Sequence, residues 1–166
     1  MLVTKILLLN LFAFNVFALN IARNEACGTN MDLKAKYHAY IDTLNSDMPP
    51  GSLDQYIKDG VKFNDFKPLS PAECIANVKS VKADLPGLHF AVDWLILEKD
   101  QGSQGAQGFA NLAVRANISY HPEPGKELAF WEHCFYRFEE GKIARAKSVV
   151  DVWGLPEKDQ AIARNL

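Results

Sequence analysis

The chain has 166 residues, 48% hydrophobic and 23% charged, with a formal net charge of −2. That length fits one domain able to bury a core without a metal or disulfide scaffold. The balance excludes disordered, collagenous and disulfide-framework classes, and no block of Lys or Arg marks a nucleic-acid binder.

Residues 1–18 carry one charge, Lys5, and 14 apolar residues, and end in Val16-Phe17-Ala18. A short basic start, an apolar run from Ile6 to Phe17 and a small residue at the cut make a signal peptide, with cleavage after Ala18 or Ala22. The run falls short of the roughly 20 residues that span a bilayer. The protein is therefore expected to be secreted, with no membrane segment after cleavage. Without residues 1–18 it holds 17 basic and 20 acidic residues, a net −3 that repels phosphate backbones. Residues 19–30 read as an N-terminal extension, 31–155 as the domain and 156–166 as a C-terminal tail.

Of the three cysteines, Cys134 falls mid-strand among apolar residues, so Cys27–Cys74 is the pairing favoured if a bridge forms. No Cys-x-x-Cys or His-x-x-x-His spacing occurs, and no metal site is expected. Asn117-Ile118-Ser119 is a glycosylation sequon inside a predicted strand.

Tyr37, Tyr40, Ile41 and Leu44 have the i, i+3, i+4, i+7 spacing of one helical face within residues 31–46. Met48-Pro49-Pro50-Gly51 stops that helix. Ser52 is placed to cap a short second helix through Lys58, and Val61 to Phe66 reads as a short strand. Ser70-Pro71-Ala72-Glu73 is a helix start: Ser70 at the N-cap, Pro71 at the first helical position, Glu73 completing a capping box. This helix stops near Pro86-Gly87. Four strands come next, His89–Lys99, Phe109–Tyr120, Glu127–Phe138 and Lys142–Trp153, separated by turn-rich segments. Helices followed by long antiparallel strands give an α+β fold, a curved sheet wrapped around N-terminal helices as an open-mouthed cone with a pocket inside.

The hairpin Glu139-Glu140-Gly141-Lys142 sets which residues share a face. A two-residue type I′ turn would force Glu140 to φ > 0, so a three-residue turn with only Gly141 left-handed is expected, pairing Phe138 with Lys142 and His133 with Lys147. One face then carries Trp131, His133, Phe135, Lys147, Val149 and Asp151, the other Glu132, Cys134, Tyr136, Ala146 and Ser148. Rings mixed with an imidazole, an ammonium and a carboxylate suit a ligand pocket, which makes the first face the candidate site; the pattern taken alone reads more readily as a partly solvated sheet face with ordinary cross-strand pairs. A one-residue slip would put Glu132 there instead of His133. Asp93, mid-strand, is a second candidate acid, and Arg115 a candidate partner for it or for Glu132. Arg115 shares with Asn111, Asn117 and Ser119 a face that reads as solvent-facing.

From about Tyr37 to Leu155 the chain resembles the SnoaL-like polyketide cyclases of the nuclear transport factor 2-like (ketosteroid-isomerase-like) superfamily. The resemblance is carried by Glu132-His133-Cys134-Phe135-Tyr136-Arg137-Phe138-Glu139-Glu140-Gly141-Lys142-Ile143, by Ser148-Val149-Val150-Asp151-Val152-Trp153-Gly154-Leu155 and by Asp84-Leu85-Pro86-Gly87-Leu88. It implies a cone-shaped barrel, a homodimer through the outer sheet face and cofactor-free acid/base chemistry. By that resemblance Asp151 is the expected general acid/base and His133 the donor to an enolate or carbonyl oxygen. Trp131, Phe135, Lys147, Val149, Tyr40 and Trp94 are the expected substrate contacts. Lys147 stands where many relatives carry Trp, and the expected register leaves His133 and Asp151 about 13 Å apart, too far for a dyad.

The expected function is a small-molecule lyase, isomerase or cyclase acting without a cofactor on a polyketide-like or other cyclic carbonyl compound. The alternatives are a secreted, non-catalytic binder of a small apolar or aromatic ligand and a structural dimer whose cone is filled by side chains.

Overall fold

The computed structural model describes residues 33–99 and 109–164. The expected leader, the extension 19–30, Cys27 and the loop 101–108 lie outside the described residues. Lys36–Leu166 form one compact unit, which holds the whole sheet.

Helix α1 spans 33–45, and Tyr37, Tyr40, Ile41 and Leu44 are all buried, as their spacing predicts. The short helix expected at Ser52–Lys58 is not formed. Ser52 Oγ is buried without a partner instead of capping, and hydrogen-bonded turns lead directly into strand β1, Ile57–Phe63. Tertiary pairing overrides the local cap here: β1 lies parallel to β5 (Lys142–Asp151), with Ile57 opposite Ile143 and Phe63 opposite Ala146. Helix α2, Pro71–Asp84, begins in the expected way. The Ser70 hydroxyl accepts from the Glu73 N–H, and the Glu73 carboxylate accepts from the Ser70 N–H at 2.7 Å. Strands β2 (His89–Lys99), β3 (Phe109–Glu123) and β4 (Lys126–Glu139) complete a five-stranded, unclosed sheet in the order β1-β5-β4-β3-β2, antiparallel except at β1. The α+β class expected from the sequence is the one found.

Both hairpins depart from expectation. β3 and β4 run past the predicted loop to pair Glu123 with Lys126 across Pro124-Gly125. Pro124 supplies the first turn position, and Gly125, at φ 78°, the left-handed second. At the β4–β5 turn Glu140 (φ 53°) and Gly141 (φ 71°) are both left-handed, the two-residue arrangement that the sequence argues against. Its twist matches the strands, and Lys58 Nζ holds Glu139 at 3.4 Å and Glu140 at 3.3 Å beneath it. A bulge at Ala144 then resets the pairing: Glu139 faces Lys142 and Phe138 faces Ile143, but beyond the bulge Arg137 faces Arg145, His133 faces Val149 and Trp131 faces Asp151.

The core lies between the helices and one sheet face. That face presents Leu112, Val114, Ala116, Ile118 and Tyr120 of β3 with Phe130, Cys134, Tyr136 and Phe138 of β4, all buried. The segment after β5 docks through α3, Glu157–Ala163, whose buried Asp159 accepts a 2.7 Å hydrogen bond from the Tyr120 hydroxyl. No helix among the described residues is long and apolar enough to cross a membrane.

Candidate functional site

β4 alternates in and out with period two, and its even-numbered residues face the core. This places a carboxylate, Glu132, 8% exposed, on the wall of a cavity of about 100 Å³. Tyr37, Tyr40, Ile41 and Leu44 of α1, Cys74, Val78 and Val81 of α2, and Leu53, Leu69 and Phe90 supply the other walls, with Phe63 and Phe66 also lining it. The space exists because the sheet is lined there by small residues. Ala116 lies directly opposite Glu132, and Ala146 opposite Tyr136.

Glu132 is held by a one-way chain of donors. The Asn64 side chain accepts from the Ser148 N–H at 2.8 Å and its amide donates to Ser148 Oγ at 3.3 Å. An amide NH2 can only donate, so the single Ser148 hydroxyl proton is left for Glu132, with which it hydrogen-bonds. From the other side Cys134 hydrogen-bonds Glu132 and also Tyr136, and the Tyr37 hydroxyl donates to that of Tyr136 at 3.4 Å. Burial raises the Glu132 pKa, and the two hydrogen bonds from Cys134 and Ser148 oppose the shift without cancelling it. Burial also drives the thiol of Cys134 and the phenols of Tyr37, Tyr40 and Tyr136 upward, so these stay protonated at neutral pH. The Tyr40 hydroxyl has no hydrogen-bond partner among the described residues and is free to donate to a ligand oxygen.

Because folded Glu132 binds its proton more tightly than the unfolded chain does, its contribution favours the fold at acid pH and fades as pH rises through its raised pKa. The melting temperature of wild type minus that of Glu132→Gln should therefore fall as pH increases from about 4 to 8. A flat difference in thermal melts would show that Glu132 titrates normally.

Of the residues singled out from the sequence, Tyr40 lines the cavity. Asp151, His133, Trp131, Phe135, Lys147, Val149 and Trp94 lie on the opposite face of the sheet. The reason is register: β3 and β4 pair Arg115 with His133 and Asn117 with Trp131, so these residues share the face of the polar side of β3. Phe135 is 62% and Val149 68% exposed, and Asp151 is exposed. Asp151 is opposite Trp131, diagonally adjacent to His133 rather than four residues away. Arg115 pairs with Asp93 at 3.4 Å and stacks 3.8 Å over Trp131, while Lys147 reaches Asp65 at 3.9 Å. Asn117 is half-buried on that outer face. Cys74, the expected bridge partner of Cys27, is a buried free thiol, pushed up to about 11 by burial and by the neighbouring Glu73 carboxylate. Among the described residues no three His, Cys, Asp or Glu side chains are grouped to hold a metal ion. Glu132 itself is visible in the sequence only as the outcome of a register slip. The apolar alternation of β3, carried across the second hairpin, is the signal that identifies its face.

Comparison with known proteins bears on the family and the fold. The sequence profile of the SnoaL-like polyketide cyclases matches residues 34–157. A SnoaL-like polyketide cyclase of Agrobacterium tumefaciens is similar at 28% identity and a TM-score of 0.58, covering 78% of this chain and 97% of its own. AclR of Streptomyces galilaeus (16%, TM-score 0.57, 75% and 82% covered) shares the fold. So does the nuclear transport factor 2-like domain of Chaetomium thermophilum Mex67, solved in complex with Mtr2 (11%, TM-score 0.55, 74% and 98% covered). Among curated proteins no match is found. With three quarters of its length matched by the family profile and its strands in the same fold, the chain belongs to the SnoaL-like polyketide cyclase family.

Proposed function

We propose that the protein is a cofactor-free lyase, isomerase or cyclase that moves a proton next to a carbonyl group, with Glu132 as its acid/base. The observation that carries this is a buried carboxylate on the wall of a mostly apolar cavity, whose pKa burial raises from the ordinary carboxylate range, the direction that suits a proton-transfer group. Ionised Glu132 removes a proton from the carbon beside a ligand carbonyl. The electron pair of that C–H bond moves into the carbonyl, and the resulting enolate oxygen accepts a hydrogen bond from the Tyr40 hydroxyl. Protonated Glu132 then returns the proton to a different carbon, giving an isomer, or to the alkoxide formed when the enolate attacks a second carbonyl, giving a ring. The cysteine and serine donors beside Glu132 favour its ionised form and limit the rise that burial causes, without cancelling it. Deuterium uptake at the α-carbons of cyclohexanone in D2O, followed by NMR, tests this: the protein should exchange them faster than buffer alone, and an unaccelerated rate removes the reading.

We infer as well that a second copy covers the outer sheet face. Supporting this, Ile96, Phe135 and Val149 form an exposed apolar patch beside Trp94. One end of that face carries Lys62, Arg145 and Arg137 in adjacent register, and the other Asp151 and Asp93. Two copies related by a two-fold axis that crosses the strands would set these opposite charges together. Light scattering should report a dimer for wild type and a monomer for Phe135→Glu/Val149→Glu; two equal masses would remove the proposal.

A further inference from the structure

We propose that the ligand is an uncharged, single-ring ketone, held with its oxygen at Tyr40 and its α-carbon at Glu132. The proposal rests on the acid/base reading above and adds the size and charge class of the substrate.

Size comes first. The cavity holds about 100 Å³, and an apolar cavity of roughly 150 Å³ takes up benzene. One six-membered ring is thus the scale of what is taken in whole beside Glu132; further fused rings would have to extend through the opening. The sheet wall sets this limit. Ala116 and Ala146 open the space, but buried Phe90 and Tyr136 bound it, and backbone pairing on both sides of β4 fixes that wall in place.

Charge comes second. Among the described lining residues there is no Lys, Arg or His, and the one ionisable carboxyl is an acid. A ligand carboxylate or phosphate would enter hydrocarbon beside Glu132 with no counter-charge, which is strongly unfavourable. Polarity comes third. The buried polar groups of the lining are those of the Glu132 wall and the Tyr40 hydroxyl, exposed Asn77 adds an amide on the α2 wall, and Leu53, Leu69, Val78 and Val81 offer only hydrocarbon. A ligand with a single oxygen satisfies this arrangement. A polyhydroxylated one leaves its other hydroxyls unpaired.

The test uses the full chain and three probes followed by ligand-observed NMR titration: cyclohexanone, cyclohexanecarboxylate as the same ring with a charge, and anthrone as a three-ring ketone. Cyclohexanone should bind at least tenfold more tightly than either of the others. Ala116→Leu, which fills the space opposite Glu132, should weaken it at least tenfold. Ala146→Val, a smaller filling on the other side of the wall, should weaken it in the same direction and serves where the leucine variant fails to fold. Equal binding of the carboxylate or of anthrone, unchanged binding in a folded cavity-filled variant, or no binding of cyclohexanone would each overturn the proposal. The catalytic reading fails separately. Selective binding of cyclohexanone without α-exchange leaves the size and charge class standing and removes Glu132 as base. Glu132-dependent exchange of the anionic or three-ring probe does the reverse.

Discussion

Glu132→Gln should lower α-proton exchange by roughly 10²–10⁴-fold, the usual contribution of a positioned acid/base, while circular dichroism and melting stay those of a folded protein. Gln keeps the size of the side chain and an oxygen that can accept from Ser148 and Cys134, so the cavity wall survives and only the proton acceptor is lost. Asp151→Asn and His133→Gln should leave the rate unchanged, because both lie on the far face of the sheet. The reverse pattern, with Asp151 essential and Glu132 dispensable, would move the chemistry to that outer face. Ser148→Ala gives a finer readout. It removes a donor that favours the ionised carboxylate, so the rise of rate with pH should begin at higher pH than in wild type.

The largest effect on stability away from the cavity is expected at Asn45. This residue ends α1 and acts as a one-residue strand against the open edge of β2. Its carbonyl oxygen accepts the Phe90 N–H at 2.8 Å and its amide donates to the Phe90 carbonyl at 2.9 Å. β2 is an edge strand, so no further strand can replace these bonds. Asn45→Ala should cost about 2–4 kcal/mol, since two backbone groups lose their partners at about 1–3 kcal/mol each and, being only part-buried, fall in the lower part of that range. Urea unfolding monitored by tryptophan fluorescence reads this as a lower midpoint. Asn45→Asp, which still accepts but cannot donate, should fall between the two. A midpoint for Asn45→Ala equal to wild type would mean that water replaces both bonds. Phe90 lines the cavity, so a loosened β2 edge should also weaken ligand binding.

The elements of the fold are legible in the sequence because their signals are local. The capping box at Ser70 and Glu73, the four apolar positions of α1 and the turn residues between the long strands all act within a few residues. The site is legible in composition but not in orientation. Trp131, Phe135 and Val149 are apolar and read as inward; Glu132 is charged and reads as outward. Both readings follow the ordinary rule that strands bury apolar residues and expose charge. Here the rule fails in both directions, because the outer face carries an exposed apolar patch among its polar residues and the inner one holds a carboxylate in a hydrogen-bonded network. The β4–β5 turn is the wrong place to settle the question, since its type depends on Lys58 reaching in from a distant strand. The β3–β4 hairpin is the right one: Tyr120 pairs with Leu128, and from that pair the apolar side of β3 leads directly to Glu132.

The Ala144 bulge governs how this chain tolerates insertions and deletions. From Lys142 the side chains point alternately to the two faces, and the bulge is the single position on β5 where that count is broken. Removing Ala144 would leave Ile143 inward, Arg145 outward and Ala146 inward, an unbroken alternation with Ser148 still beside Glu132. Removing any one residue between Arg145 and Lys147 would instead turn Ser148 outward and cut the carboxylate off from the donor that Asn64 orients. The hairpin thus works as a parity counter for the cavity: one residue in it is dispensable to the count, and its neighbours are not.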